Sequence, residues 1–376
     1  MNQKELNEIR RRIKPERNNI KHIYGCYVNS AKEIISYIDE SVSLLSPEEN
    51  EKYMAFLKKS LSGALGKNLV SLSFATKQVM DSDEHKLLSA LRRTELEDAV
   101  LREDFYKCII DSLDFSENNW LILLAFDAYD VPHYGKDGAE DDSREVFKYM
   151  LCSVCPVKSG KAQLGYNADE KRFSAAALNQ TVANPEMGFM FPCFDDRSTN
   201  IYNALFYTRN TDELDQSFID AVFKTEVPMA AGKQRDTFSG LLADCADKAL
   251  SYDMVQSVHE QLTERIALHK ESRDPEPLTL SSQELGGILE NSGMSEEQVQ
   301  HFCKECEKEF GENAELSPSN IIDSRKIQVN TPEVKISVDP KYGYLLQTRV
   351  IDGRKYILIS ADAGLEVNGI AVDISE

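Results

Sequence analysis

Acidic residues and an arginine at the ends of two apolar runs could support phosphoryl or phosphodiester chemistry. One run ends near residue 127, and the other ends at the polar stretch FDDRSTN, residues 194–200. Carboxylates that converge from two strand ends can hold Mg²⁺, and a nearby arginine can steady a phosphate. This pattern predicts a metal-dependent hydrolase or nuclease. The candidate catalytic residues are Asp127, Asp130, Asp195, Asp196 and Arg197, with His133 beside the first pair.

The Asp195–Asn200 loop also has the composition of an ordinary turn. Asp, Ser, Thr and Asn side chains commonly bond to their own backbone in turns. Asp195 or Asp196 would then pair with Arg197 or Arg209 as a structural contact. We favour the turn interpretation, because the catalytic one requires two strands to be neighbours and the sequence does not show this.

A basic segment opens the chain. Residues 1–21 carry seven Lys and Arg against three Glu, a local balance of +4. Such a segment could contact DNA phosphates, although it has no interleaved aromatic residues for base stacking. A solvated helix face, or pairing with the protein's own acidic surface, explains the same pattern. The candidate DNA-binding residues are Arg10, Arg11, Arg12, Lys14 and Arg17.

Two Cys-x-x-Cys pairs resemble metal-binding motifs. Cys152 and Cys155 fall in a predicted strand, where positions three apart point to opposite faces. Cys303 and Cys306 share a helix face with apolar residues, which is typical of small core side chains. We therefore predict neither a metal site nor a cofactor. The sequence also lacks GxGxxG, GxSxG and HExxH motifs.

Composition excludes several classes of protein. The chain has 376 residues, 41% of them hydrophobic, and its 43 Lys and Arg against 63 Asp and Glu give a net charge of −20. These values are typical of a globular protein of about two domains and argue against disordered and fibrous classes. A polyanion repels DNA and anionic membranes unless a local basic patch overrides the average. The charged start, sparse cysteines and short apolar runs predict a cytoplasmic protein without a membrane partner.

Apolar periodicity predicts an α+β fold with an antiparallel meander sheet packed by amphipathic helices. The connections between the strands contain turn residues and no crossover helix. Helices are expected after the capping box of Ser46 and Glu49, over 81–113 with a break near Thr94, and near 212–224, 233–250 and 252–270. The predicted strands are His22–Asn29, Glu33–Ile38, Asn68–Phe74, Trp120–Val131, Val146–Val157, Met187–Phe194 and Asn200–Thr208.

A smaller C-terminal domain is expected after the polar, proline-containing segment Lys270–Pro277. Capping residues at Ser281 and Ser295 predict a helix pair, and Asp352-Gly353 predicts a β-hairpin. The predicted organisation is a basic arm at 1–21, a main α+β domain at 22–270 and a C-terminal domain at 278–376.

Four stretches carry a resemblance to a known family. They are KP (14–15) through HIYGCYVN (22–29), GFMFP (188–192), FDDRSTNIYNAL (194–205) and VIDGRKYILI (350–359). Together they resemble an uncharacterised family of anaerobic Gram-positive bacteria, over nearly the whole chain, and that family implies no activity. The two ends also resemble bacterial nucleoid-associated proteins, through the Leu45-Ser46-Pro47-Glu48 helix entry and the β-rich stretch Ile327–Ile359.

Two functional hypotheses follow. The first is a non-enzymatic cytoplasmic binding protein, with the nucleoid resemblance implying DNA as its partner through the basic arm. A protein partner, or a homodimer through an apolar helix face, stays open within this hypothesis. The alternative is a metal-dependent hydrolase or nuclease that uses the Asp195–Asn200 loop.

Overall fold

A computed structural model describes residues 1–115, 118–132, 145–160, 164–167, 171–175, 180–246 and 250–374. The fold is α+β, as predicted. The chain divides into two compact units, Met1–Ala231 and Gly232–Glu376. The helices are α1 (Gln3–Arg12), α2 (Pro47–Lys59), α3 (Thr76–Asp81), α4 (Asp83–Arg93), α5 (Ala99–Ser112), α6 (Gln216–Val222), α7 (Ala231–Ala246), α8 (Tyr252–Ser272), α9 (Ser282–Asn291), α10 (Glu296–Phe310) and α11 (Pro318–Ile321).

The described residues of the first unit contain twelve strands, eight in one antiparallel sheet and four in two separate two-stranded pairs. They are β1 (His22–Val28), β2 (Ile34–Ser41), β3 (Leu69–Ser73), β4 (Asn119–Val131), β5 (Glu145–Ser159), β6 (Leu164–Asn167), β7 (Arg172–Ala175), β8 (Gln180–Val182), β9 (Met187–Phe191), β10 (Cys193–Asp195), β11 (Ser198–Asn200) and β12 (Asn203–Thr208). The order in the sheet is β2-β1-β4-β5-β9-β12-β3, with β8 paired to the end of β5. The run β4-β5-β9-β12 is the predicted meander, whereas the flanking strands come from the earlier part of the chain.

Both faces of this sheet are covered by helices. On β4, Ile122 and Leu124 pack in a core with residues of α4, α5 and α6, whereas Leu121 and Leu123 pack with residues of α1 and α2. Because side chains alternate between the faces of a strand, a strand covered on both faces is apolar at every position. This explains the continuous apolar run that the sequence shows from residue 120.

The alternation also separates the first cysteine pair. Cys152 lies in the core on the α5 side of the sheet, and Cys155 lies in the core on the α1 side. Burial raises the pKa of the Cys155 thiol to about 12 and raises that of Cys152 well above its usual value. The pair therefore cannot converge on one metal ion, since its members point away from each other.

The second unit combines a helical core with three hairpins. The apolar faces of α7 and α8 pack against α9 and α10, with Phe238, Met254 and Leu262 buried beside Leu285 and Phe302. This packing places α7 and α8 with the C-terminal helices, whereas the sequence placed the boundary after residue 270. The remaining strands are β13 (Ile327–Asn330), β14 (Lys335–Val338), β15 (Leu346–Ile351), β16 (Arg354–Ile359), β17 (Leu365–Val367) and β18 (Ile370–Val372).

The predicted starts of three helices and the predicted turn of one hairpin are confirmed. Ser46 accepts a hydrogen bond from the backbone N–H of Glu49 at 3.3 Å and begins α2, with proline at the first helical position. Capping boxes at Ser281 and Ser295 likewise begin α9 and α10. Asp352 and Gly353 connect β15 to β16 with positive φ at both positions. Among the described residues, no helix is long and apolar enough to cross a membrane.

Candidate functional site

Helix α1 docks the basic segment onto the sheet. Asn2 caps the helix in a capping box with Glu5, and Leu6 and Ile9 are fully buried in the core beneath it, followed by Ile13. The spacing of these apolar residues is helical, so one stripe of α1 faces the sheet. Residues 1–21 are therefore part of the first unit, and the Arg12–Asp127 pair agrees with the alternative in which the basic segment pairs with the protein's own acidic residues.

Asp127 lies at the buried end of β4 beneath α1. Its carboxylate accepts hydrogen bonds from Arg12 at 3.2–3.3 Å, from the Tyr149 hydroxyl at 2.7 Å and from the backbone N–H of Asn19 at 2.8 Å. The side chain of Asp127 has no exposed area, and that of Arg12 is 16% exposed. Arg12 also lies over the Tyr129 ring, 4.2 Å from its centroid. The carboxylate is thus charge-compensated by the protein itself.

Asp130 does not join Asp127. The two positions have opposite parity on β4, so their side chains leave the strand on opposite faces. Asp130 is exposed, whereas Asp127 is buried. The expected convergence therefore fails for this pair, and His133 lies outside the described residues.

Asp195 and Asn200 belong to a tight hairpin. Strand β10 pairs with β11 through Asp195 and Ser198, so Asp196 and Arg197 form a two-residue turn with φ of 48° and 56°. Positive φ at both central positions is the geometry that matches the twist of a hairpin. Asp196 is exposed at the tip of this turn. The structure therefore agrees with the turn interpretation of the loop.

The carboxylate of Asp195 is held by groups of this chain. It accepts from the N-terminal ammonium group of Met1 and from the amide of Asn200 at 2.9 Å. Burial alone would raise the pKa of Asp195, but these two donors outweigh it and hold the pKa below its usual value. The charged form is stabilised without a metal ion.

Arg197 links the hairpin back to α1. Its guanidinium donates to Glu8 at 2.7 Å and to the Pro132 carbonyl at 2.9 Å, and its backbone N–H donates to Glu5 at 3.1 Å. Glu8 also accepts from the Tyr129 hydroxyl, and burial together with this bond raises the pKa of Tyr129 to about 12. The Arg197 guanidinium is therefore paired with a carboxylate of α1, although its side chain is 41% exposed.

These contacts form one network, which we call the α1 network. It brings four carboxylates and three cationic groups together from α1, β4 and the β10–β11 hairpin, with Tyr149 of β5, and three of the carboxylates are in ion pairs. The sequence analysis singled out four of its members, Arg12, Asp127, Asp195 and Arg197. It missed the rest, because the bonded partners lie 22 to 194 residues apart along the chain. The members are Met1, Glu5, Glu8, Arg12, Asp127, Tyr129, Tyr149, Asp195 and Arg197.

The candidate DNA-binding residues divide into two groups. Arg10 donates to the carbonyls of Leu61 at 2.5 Å and Gly63 at 2.7 Å, beyond the end of α2. Arg12 is bound to Asp127 in the α1 network. The exposed members are Arg11, Lys14 and Arg17.

The described residues contain no group of three or more His, Cys, Asp or Glu side chains that could hold a metal ion. Cys306 is buried in the helical core, and the half-buried Cys303 donates to the Ser282 carbonyl at 3.3 Å. The second cysteine pair therefore packs as part of the helical core.

A different surface concentrates exposed apolar side chains. We call residues 327–374, which contain β13 to β18, the C-terminal hairpin segment. Of the 22 large hydrophobic side chains that are exposed in the described residues, twelve lie between residues 334 and 374. Such a concentration of exposed apolar side chains in one segment is typical of an interaction site. The twelve are Val334, Tyr342, Tyr344, Val350, Ile351, Tyr356, Ile359, Leu365, Val367, Ile370, Val372 and Ile374.

Comparison with known proteins places the chain in one family. The chain belongs to the family described as Domain of unknown function (DUF4317), whose model matches residues 1–370. A search of curated proteins finds no significant match. The family match confirms the expectation of an uncharacterised family over nearly the whole chain. The bacterial group and the likeness to nucleoid-associated proteins stay predictions.

Proposed function

We propose that this DUF4317 chain is a cytoplasmic protein that acts by binding and not by catalysis, with the C-terminal hairpin segment as its binding surface. The observation that carries the proposal is the concentration of twelve exposed large apolar side chains within residues 334–374. Exposed apolar area is costly in water and becomes favourable when a partner covers it. The cytoplasmic part is supported by the eight cysteines, all of which are free thiols.

The α1 network weakens the alternative of a metal-dependent hydrolase or nuclease. A catalytic metal ion needs carboxylates that are free to bind it. Asp127 and Asp195 each accept hydrogen bonds from at least two donors of this chain, and Asp196 lies alone at a turn tip. The carboxylates that the sequence suggested as catalytic therefore make contacts that hold α1 on the sheet.

Capture from cells tests the binding surface. The full chain would be cross-linked in cells that express it and recovered with an antibody, alongside the double variant V350K/I359K and the control V100K. Val350, Ile359 and Val100 are 69%, 56% and 67% exposed, so none of these substitutions removes a core contact. Captured species should be lost from V350K/I359K and kept by V100K. An identical set from all three proteins would contradict the proposed surface.

Nucleic-acid binding, as in a nucleoid-associated protein, is a second candidate that one observation favours. Arg11, Lys14 and Arg17 are exposed in the basic segment and could contact phosphates. Three phosphate contacts give a salt slope of about −2.7, so affinity for duplex DNA should fall about 40-fold between 50 and 200 mM salt.

The substitution R11Q/K14Q/R17Q tests this candidate better than deletion of residues 1–21, because deletion would also remove the buried Leu6 and Ile9. Loss of the salt-dependent binding in the triple variant would support it. Absence of binding by the unaltered chain at 50 mM salt would refute it.

A further inference from the structure

The C-terminal hairpins leave strand edges open. Strands β13–β14, β15–β16 and β17–β18 form three separate two-stranded sheets. Among residues 250–374, no third strand joins β15–β16. A hairpin alone is marginally stable in water, whereas three or more strands with an apolar face are stable. An open edge also presents unpaired backbone groups that can bind another strand.

The hydrogen bonds of this hairpin identify which backbone groups are open. The Ser360 N–H donates to the Leu345 carbonyl at 3.0 Å, one step beyond the paired ends of β15 and β16. Bonded and non-bonded pairs alternate along an antiparallel ladder. The N–H and C=O groups of Lys355, Ile357 and Ile359 therefore point away from β15, along the outer edge of β16.

This edge is complementary to itself. When two copies of β16 pair antiparallel about a two-fold axis at Ile357, Lys355 of one copy faces Ile359 of the other, and Ile357 faces its own counterpart. Like charges then do not face each other directly. Leu346 and Val350 lie on the same face through their pairing with Ile359 and Lys355. The result is a four-stranded sheet with a predominantly apolar face.

Charge distribution favours a second copy at this surface. Residues 327–374 carry five Lys and Arg against six Asp and Glu, a balance of −1, whereas the whole chain carries −20. Two copies therefore repel each other across most of their surfaces and least at the C-terminal hairpin segment.

From these observations we infer that the chain forms a symmetric dimer by antiparallel pairing of β16 with β16 of a second copy. The inference rests on the proposed function, because it names the partner of the same surface. The proposed dimer interface is a strand edge, whereas the sequence suggested an apolar helix face for a homodimer.

Light scattering on the full chain tests the inference. The unaltered protein should have twice the chain mass of 42.5 kDa. I357K and I357E should each fall to the single-chain mass, because each places like charges opposite each other at the two-fold axis. An equimolar mixture of the two variants should return to the doubled mass, because the new side chains then carry opposite charges.

Cysteine cross-linking tests the register with a matched control. Residues in a bonded antiparallel pair have Cα atoms about 5.5 Å apart, within the range of a disulfide. I357C treated with diamide, which takes up two electrons and two protons from two thiols, should give a covalent dimer. K355C alone should not, because its counterpart faces Ile359, but K355C mixed with I359C should.

Contrary outcomes separate the two proposals. A single-chain mass at about 100 µM, without an I357C cross-link, would overturn the dimer. A doubled mass that I357K leaves unchanged would also overturn it, because the contact would lie elsewhere. If the chain is monomeric while V350K/I359K still loses captured species, only the dimer fails. If V350K/I359K loses nothing either, both proposals fail.

Discussion

Replacing Arg12 by methionine should destabilise the first unit because it breaks a buried ion pair. Asp127 has no exposed side-chain area and receives two of its four donor groups from the Arg12 guanidinium. Removing one partner of a buried pair costs about 3–5 kcal/mol, because the remaining charge stays out of water. Arg12 is 16% exposed, and Tyr149 and Asn19 still bind the carboxylate, so we expect the lower end, about 3 kcal/mol.

Tryptophan fluorescence reports on the unfolding of the first unit alone. The chain has one tryptophan, Trp120, which is buried in the core of the first unit. Urea unfolding followed at this residue should show R12M with a lower midpoint and an unchanged slope. The control is R11M, since Arg11 is the exposed neighbour, and its free energy of unfolding should stay within about 0.5 kcal/mol of the unaltered protein.

The double variant R12M/D127N completes the test. When Arg12 is already absent, neutralising Asp127 should restore part of the lost stability, although D127N alone is destabilising. If R12M instead unfolds at the same midpoint as R11M, Arg12 does not compensate Asp127. That outcome would refute the α1 network and return Arg12 to the residues available for phosphate contact.

Three further predictions concern the packing, the capping and the charge of the first unit. G188A should cost about 1–3 kcal/mol, because its Cβ would fall on the Cys152 carbonyl oxygen, and its control G240A, which meets nothing, should not destabilise the second unit. S46A should lose about 1 kcal/mol and lower the Tm by about 2–4 °C in calorimetry, because α2 loses its cap. D195N should be less stable than the unaltered protein at pH 6, with the difference shrinking below about pH 4 in urea unfolding. The sign follows from the lowered pKa of Asp195, whose stabilisation exists above its unfolded pKa and is lost as the pH falls through its folded pKa.

Local signals in the sequence predicted most of the elements. The capping residues at Ser46, Ser281 and Ser295 each satisfy backbone donors within three positions, so their effect does not depend on the rest of the fold. Asp352-Gly353 works in the same way, through the positive φ that its turn requires. Asn368-Gly369, which has positive φ at both positions and connects β17 to β18, carries an equally readable signal that sequence reasoning missed.

Partner choice between distant residues could not be predicted from the sequence. The apolar stripe of Leu6, Ile9 and Ile13 is visible as helical spacing, but the surrounding arginines made α1 look like a solvated arm. Its docking depends on the sheet order, which brings the ends of β4 and β5 beneath it. The grouping of α7 and α8 with the C-terminal helices also depends on long-range packing, so the sequence did not show it.

The acidic residues and arginines that suggested a catalytic site are explained by the need to hold α1 on the sheet. Helix α1 must remain on the sheet of a protein whose net charge is −20, and it adds Glu5 and Glu8 to a region that already holds Asp127 of β4 and Asp195 of the hairpin. Like charges this close oppose docking unless cations lie between them. Arg12 pairs with Asp127, Arg197 with Glu8 and the Met1 ammonium group with Asp195, so the cluster that resembles a catalytic site is the arrangement that lets an acidic chain close over its first helix.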